Sequence, residues 1–555
     1  MQFLTNYSSR LQRILNSNIS WSEKARVLFA IAKTNVILER QAEATEKIDL
    51  YEGDQEQYIL AYIRKNFHDK ESLLKFPEWY NITKLIIDKI SNIYTSPATR
   101  TLINDKTLQN AKSKKAEKPI DTKLEKEQEL FDAIMDACQW NEFMITTNIY
   151  TNICNETLVR PFWFDSGGII KLDLLTPDNV TPLPNDQDPT ELEGVIFSKV
   201  FFDDFTVEDE ETATKIYQIW TAQDYGEFID QQGGGYEPRT LEQNPDGKNP
   251  YGILPVVISR KKIAIDRIFS NEGKDLINLQ NSVNRLLMQI NELSYLQSFS
   301  IPVLTGWDNP PGDIAISPGT LFIVPTSDKV TENPPTFAFV TPDSKILDLE
   351  AELKAKIERI AMIYNIAPSE FQVQGTPASG YALRLQNRGL EAMWTKEAPF
   401  YERMEKKVFD VIKTIWNYHA GTSDFAQSNS PLKKFGGVRF ADDTRLSCVL
   451  SLPKYPSDPI EERELWAWKF SKNFDNVAGY LVQTKGLTET EAIAELEKNK
   501  EINEKFKNVS ISPFDDEGGT NTGLGNEKKD GREFIGKVKE DVKNTLEKDE
   551  EDEDE

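Results

Sequence analysis

Two apolar stripes at helical spacing, separated by a stretch that cannot continue a helix, constrain this chain more than any other feature. Leu276, Leu279, Val283, Leu286, Leu287, Ile290 and Leu293 form the first, and their spacing predicts a helix of about 25 residues, on the order of 37 Å long. Ile346, Leu349, Leu353, Ile357, Ile360 and Tyr364 form the second, with Thr341 and Pro342 suited to its N-cap and first position. Between them, Ser300 to Val340 is rich in proline, glycine and β-branched residues, the composition of a compact β-rich insert. Two such helices can lie side by side and carry the insert away from the body on a stalk. An ordinary helical core with a β-hairpin insertion satisfies the same pattern.

The flanking segments define an α+β chain. A helix is expected from Ser22, a good N-cap, through Val27, Leu28, Ala30 and Ile31 toward Glu46. Tyr51-Glu52-Gly53-Asp54-Gln55 reads as a turn. Another helix is expected from Trp79 to Ile93, with Ile82, Leu85, Ile86, Ile90 and Ile93 on one face and Pro97 as its stop. Residues 104–127 are Lys-rich and nearly free of large apolar side chains, which predicts a mobile surface loop. From about 158 to 260 the period changes to two. Ile170, Leu172 and Leu174 alternate with polar residues, and Val195–Phe202 and Ile216–Thr221 are further strands. Ile253 to Ile258 reads as a buried strand running into Arg260-Lys261-Lys262. Gly233-Gly234-Gly235 lacks the strand-and-helix context of a phosphate cradle and reads as a loop.

After Pro368 comes a polar loop, Gln372 to Gly380, and then a very long helix from about Tyr381. Its stripe is Leu383, Leu390, Met393, Trp394, Met404, Val408, Val411, Ile415 and Trp416, with a kink expected at Pro399. Leu446, Cys448, Leu450 and Leu452 alternate as a strand. Asp458-Pro459-Ile460-Glu461 opens one helix and Thr488-Glu489-Thr490-Glu491 another. Beyond Pro513 the chain is polar, Gly-rich and charged, and disorder is expected.

Composition excludes several classes of activity. The 555 residues, 39% hydrophobic, suffice for a real core and suggest two or more domains. No stretch approaches the roughly 18 apolar residues that span a bilayer, and the first residues lack a secretory signal, so no membrane partner is expected and a cytoplasmic setting is. Cys138, Cys154 and Cys448 are too few and too widely spaced for a disulfide framework or a zinc site and read as free thiols, buried or semi-buried. His68 and His419 lie in no metal-ligand pattern, and no phosphate-binding loop or nucleophile elbow occurs. No catalytic residue, metal ligand or cofactor site is indicated. The net charge of −25 opposes tight gripping of nucleic acid. Glu547–Glu555 holds eight acids and one lysine, so the rest of the chain carries about −18.

In this order the segments resemble the portal, or head-to-tail connector, proteins of long-tailed bacteriophages, over about residues 22 to 420. Tyr51-Glu52-Gly53-Asp54-Gln55 is similar to the family's aromatic-x-Gly-x-Gln turn. Asn81, Lys84, Ile87-Asp88, Tyr94 and Pro97 resemble its helix ending in a tyrosine and a proline, and Ile253-Leu254-Pro255-Val256-Val257 its short strand before the stem. Order and spacing carry the resemblance. It implies a portal fold with a mixed wing (1–265), a first stem helix (266–296), a small β-rich clip (297–341) and a second stem helix (342–366). A tunnel loop (367–381), the long kinked wing helix and strand (382–457), a helical crown (458–512) and a disordered acidic tail (513–555) follow.

The resemblance further implies a homo-oligomeric ring, usually of twelve subunits, at the portal vertex of the virion, assembled in the host cytoplasm. Its partners would be the major capsid protein, scaffold, terminase, a head-tail connector or adaptor, and double-stranded DNA passing through the channel. It places Gln372, Gln374, Gly375, Thr376 and Ser379 in the channel; with no Lys or Arg there, contacts with DNA are expected through water and backbone. Trp307, Phe322 and Lys329 fall in the clip, where aromatic anchors suit partner docking or packing within the ring. Twelve copies would carry roughly −300, so any contact with DNA would be local. The Lys-rich segment and the acidic tail match no part of the family pattern. Two other readings stand beside it: a non-portal virion or cytoplasmic helical scaffold, and a metal-dependent nuclease built on clustered acids.

Overall fold

The computed structural model describes residues 35–66, 77–105, 122–201, 214–269, 274–297, 301–305, 336–340, 345–367, 380–451 and 459–506, short breaks within those spans aside, together with Glu23, Val27 and Leu74. The chain divides into two compact units, residues 1–474 and 475–555.

In the first unit, α1 (Asn35–Glu52), α2 (Glu56–Asn66) and α3 (Ile82–Ile90) lead to strand β1 (Thr99–Ile103), then α4 (Thr122–Ala137) and α5 (Trp140–Cys154). Strands β2 (Glu156–Phe164), β3 (Ile169–Leu175), β4 (Val180–Pro184), β5 (Leu192–Phe201), β6 (Thr214–Thr221), β7 (Tyr225–Gln231), β8 (Gly235–Arg239) and β9 (Val257–Arg260) follow. Helix α6 (Lys274–Gln297), the pair β10 (Ile301–Thr305) and β11 (Thr336–Val340), α7 (Ile346–Ile363), α8 (Gly380–His419), β12 (Arg445–Val449) and α9 (Pro459–Ser471) complete it. The second unit holds α10 (Val477–Lys485) and α11 (Glu489–Phe506), with Leu481 and Ala492 buried.

The sheets among the described residues are all antiparallel, with orders β1-β12, β10-β11, β3-β2-β9 and β4-β5-β6-β7-β8. Pro182 and Pro184 sit in β4, an edge strand, where a missing N–H breaks no ladder. The main core joins α4, α5, the second half of α8, β2 and β12 around Phe131, Trp140, Tyr401, Phe409 and Trp416. Arg100 of β1 bonds Glu405 of α8 through Nε (2.6 Å) and a terminal nitrogen (2.8 Å), and Cys448 of β12 donates to the same carboxylate (3.1 Å). Both side chains of that ion pair are at most 3% exposed. Such a pair costs desolvation but is strongly destabilising to break, and so holds these three elements in one arrangement.

Several elements depart from the sequence expectations. Helix α1 runs past Glu46 to Glu52, because the residue able to end it is Gly53. Helix α3 is shorter than 79–93: Asn81 caps it and Ser91 closes it, so Pro97 is not its stop, and Leu85 is 39% exposed rather than on the apolar face. The loop expected at 104–127 is helical from Thr122 onward. Glu127 there is buried, accepting from the Thr444 hydroxyl (2.5 Å) and the Ala441 N–H (3.3 Å), two partners over 300 residues away, beside the exposed Lys123 ammonium one turn back at 3.8 Å. The strand expected from Ile253 joins a ladder only at Val257. Lys345, not Thr341, occupies the N-cap of α7. β1 and the α4–α5 pair carried no expectation; β1 acquires its strand character from pairing with β12.

The thiols are free, Cys154 and Cys448 buried and Cys138 half-buried. His419, the last residue of α8, stacks on Trp163 (4.5 Å, 3°) and shares a 2.9 Å hydrogen bond with the Tyr251 hydroxyl, which is a packing role. His68, residues 106–121 and the tail from 513 lie outside the described residues.

Candidate functional site: the seat of the paired helices

The two stripes that dominate the sequence become α6 and α7, which pack together. Leu276, Leu279, Val283 and Leu287 meet Leu353, Ile357 and Ile360 in a cluster that also takes in Ile82, Ile86 and Ile90 of α3 and Leu390 of α8. The β10–β11 ladder, Ile301 opposite Val340 through Thr305 opposite Thr336, sits between the far end of α6 and the start of α7 in the chain. The functional question is what seats this pair on the body.

The seat begins with the end of α1. The N–H groups of Gly53 and Asp54 both donate to the Asp49 carbonyl at 2.9 Å, a C-terminal cap that needs a left-handed residue. Gly53 supplies it with φ of +99°, where a Cβ would be strained. The turn buries Gln55 completely. Its Nε2 donates to the Leu50 carbonyl (2.9 Å), and its Oε1 accepts from Asn284 Nδ2 of α6 (2.8 Å). Asn81 ties the same turn to α3, donating from Nδ2 to the Tyr51 carbonyl (3.0 Å) while its Oδ1 accepts the Lys84 N–H (2.9 Å). The Tyr51 hydroxyl donates to Asp88 (2.9 Å); burial first, then this carboxylate, raises the phenol's pKa.

Gln280 is the centre of the seat. Its Oε1 accepts from both the N–H and the hydroxyl of Thr83 (3.0 Å each), and its Nε2 donates to the Tyr80 carbonyl (2.8 Å) and Asn284 Oδ1 (2.9 Å). Thr83 lies in the first turn of α3, where backbone N–H groups have no intrahelical partner; α6 supplies one. The network is neutral and buried, so it fixes geometry without the desolvation cost of ions. At the rim, Lys274 pairs with Glu43 (2.9 Å), an exposed contact worth little.

The other end of α7 is held as firmly. Asn365 adopts φ of +57° and the Ile366 N–H reaches back to the Ala361 carbonyl (2.9 Å), again a left-handed cap. Gly389 of α8 packs on that turn, where a Cβ would lie 3.0 Å from the Asn365 Cβ and 3.2 Å from its carbonyl oxygen. Nearby on α8, Glu397 is 9% exposed. Burial pushes its carboxyl up to about 7, with Lys261 pulling the other way, and burial lowers the pKa of Lys261.

The motif residues Tyr51, Gly53, Gln55, Asn81, Lys84 and Asp88 therefore converge on one junction. Gln280, Asn284, Thr83, Asn365 and Gly389 belong to it and were not anticipated. Gln280 and Asn284, four apart inside an apolar stripe, were the available signal. Gln372, Gln374, Gly375, Thr376 and Ser379, and Trp307, Phe322 and Lys329, lie outside the described residues, as does the loop 368–379 that joins α7 to α8. Among the described residues no cluster of His, Cys, Asp and Glu could hold a metal ion, and no helix is long and apolar enough to cross a membrane.

The family described as "Phage portal protein, SPP1 Gp6-like" matches residues 39–426, well over half of the chain and spanning the whole seat and both paired helices. The chain belongs to this family of phage portal proteins, a structural, non-enzymatic family whose members form homo-oligomeric rings. Among solved structures it is similar to a chain in the neck of an empty GTA particle computed with C6 symmetry, at 10% identity over 75% of this chain and 93% of that one, with a TM-score of 0.34. A chain in the virion of a native gene transfer agent particle is similar at 12% identity, over 76% and 94%, with a TM-score of 0.33. No curated protein matches the sequence.

Proposed function

We propose that the chain is one subunit of a ring-shaped portal channel at a single capsid vertex, through which double-stranded DNA is packaged, retained and ejected. The observation that carries this is the family match over 39–426. In this reading α6 and α7 are the stem, 266–296 and 342–366, and the body before them, 1–265, is the wing. The segment 297–341, whose β10–β11 ladder they flank, is the clip where terminase and a head-tail connector dock. The loop 367–381 lines the channel with Gln372, Gln374, Gly375, Thr376 and Ser379. Residues 382–457 return to the wing through the long helix, kinked at Pro399. Residues 458–512 form the crown, and 513–555 an acidic tail. Capsid protein and scaffold hold the ring in the virion, and the host cytoplasm is where it assembles. The chain itself hydrolyses nothing and needs no cofactor. An acidic wall suits a conduit, because a polyanion slides past it without being held.

Electron microscopy of the purified chain tests the reading. Rings of about twelve subunits with a central channel are expected; monomers at high concentration, alone and with capsid and scaffold proteins, would overturn it. Substituting Trp307 should leave rings intact and abolish terminase binding; lost rings would assign it to packing within the ring. Deleting 374–379 should impair packaging or retention of DNA, and normal DNA-filled heads would remove the loop from the channel.

A further inference from the structure

We propose that the loop between β9 and α6 is a docking knob, and that each copy of this chain sets the tip of that loop, Ile263 and Ile265, against the next copy in the ring. The inference rests on the ring reading, since the ring provides the neighbour. Ile265 is 92% and Ile263 70% exposed. A singly exposed apolar side chain is ordinary surface; two isoleucines this bare on one short loop mark a place where something docks. The loop is held at both ends by one buried carboxylate. Glu156, the first residue of β2, pairs with Arg260 Nε at 3.2 Å and accepts the Phe269 N–H through its other oxygen. Arg260 also donates from a terminal nitrogen to the Thr190 carbonyl (2.9 Å). Ile268 and Phe269 are buried, and the Arg40 guanidinium lies 5.3 Å over the Phe269 ring. Phe269 keeps φ of +55°, a conformation that a bulky residue adopts where its surroundings fix it. The knob is thus ordered before a partner arrives, which removes part of the cost of docking.

Charge selects the occupant. A chain of net charge −25 repels its own copies, so copies meet where the surface is apolar and locally basic. Residues 260–267 hold Arg260, Lys261, Lys262 and Arg267 against Asp266 alone, and Lys262 and Arg267 are exposed on either side of the isoleucines. The complement of such an element is an acidic neighbour, and another copy of this chain is one. DNA is a poorer fit, because phosphates are met by cations and N–H groups and bases by stacking rings or hydrogen bonds, none of which an isoleucine offers. Contacts made once and kept are also more apolar than transient ones. Head-to-tail contacts of this kind, one surface of each copy meeting a different surface of the next, are what close a ring.

Photo-cross-linking tests this. Unlabelled full-length chain carrying p-benzoylphenylalanine in place of Ile265 is assembled into rings with an excess of 15N-labelled unaltered chain, and the linked peptides are read by mass spectrometry. Links from position 265 into 15N-labelled peptides are expected. In parallel, I263S with I265S should lower the ring fraction about tenfold at a chain concentration where the unaltered chain is mostly ring. Both side chains are exposed, so the melting temperature of the unassembled chain should not move. Links confined to the chain that carries the probe, links to DNA alone in filled heads, or rings formed as readily by the double variant would overturn this inference and leave the ring reading standing. Absence of rings from the unaltered chain would overturn the ring reading, and this inference with it.

Discussion

Replacing Gln280 with leucine should unseat α6 from the body. The side chain is 2% exposed and makes four hydrogen bonds, to the Thr83 N–H, the Thr83 hydroxyl, the Tyr80 carbonyl and Asn284 Oδ1. Leucine is of comparable bulk, one bond shorter, and answers none of them. Thr83 is 1% and Asn284 4% exposed, so three of the four stranded groups have little access to water. At about 1–3 kcal/mol for each unsatisfied buried group, less what relaxation and the added apolar burial recover, a loss of roughly 3–5 kcal/mol is expected. A chain with two units and several clusters does not unfold in one step, so a local probe is required. Hydrogen exchange of the α3 amides by mass spectrometry measures opening at the seat, and about 3 kcal/mol corresponds to roughly a hundredfold loss of protection. Arg285→Leu, on the exposed side of α6, is the control and should change exchange little. If Gln280→Leu exchanges no faster in α3 than Arg285→Leu, the network does not hold the paired helices, and the seat as described is wrong.

Three further outcomes follow from the same geometry. Gly389→Leu, which drives a side chain into the Asn365 turn at 3.0 Å, should cost about 1–3 kcal/mol and lower the melting temperature, whereas a neutral result would mean that α8 shifts freely on α7. Burial raises the Glu397 pKa to about 7 from its ordinary value of 4.5, so the folded state favours the protonated acid: the stability gained by protonation is complete below 4.5 and is lost as pH rises toward 7. Glu397→Gln should therefore melt higher than the unaltered chain at about pH 7.5, by up to roughly 3 kcal/mol, the gap narrowing toward about pH 5; a gap independent of pH would exclude Glu397 as its source. Burial pushes the thiols of Cys138 and Cys154 up to about 12 and raises that of Cys448 further, with Glu405 adding to it. None should react with iodoacetamide at about pH 8 until urea is added, and alkylation of the native chain within minutes would contradict the packing.

What the sequence reveals and what it hides divide along contact range. Periodicity marks α6, α7 and α8, because each buries a stripe of its own side chains. Gly53 marks the end of α1, since a left-handed turn demands little else. The resemblance singled out Asn81, Asp88 and Gln55 as motif residues; Asn81 and Asp88 bond Tyr51 of the same segment, but the junction with α6 is made by Gln55 and Thr83, whose partners Asn284 and Gln280 are on the order of 200 residues away. Strand β1 is invisible for the same reason: Thr99–Ile103 has one buried apolar residue, Leu102, and becomes a strand through β12. Glu127 looks like part of a solvated lysine-rich stretch until Thr444 arrives.

The long separation within the seat also orders events during synthesis. Gln55 and Thr83 leave the ribosome some 200 residues before Gln280 and Asn284, and at about 5–20 residues per second that interval is on the order of 10–40 s. Throughout it the nascent α1–α3 surface presents hydrogen-bonding groups satisfied by water alone, and an apolar face of Ile82, Ile86 and Ile90 with no α6 to cover it. Arg100 must wait longer still for Glu405. The N-terminal third of the chain is thus made early and finished late, which is where a chaperone would engage it, and where slowing translation before residue 274 should raise aggregation more than slowing it after residue 420.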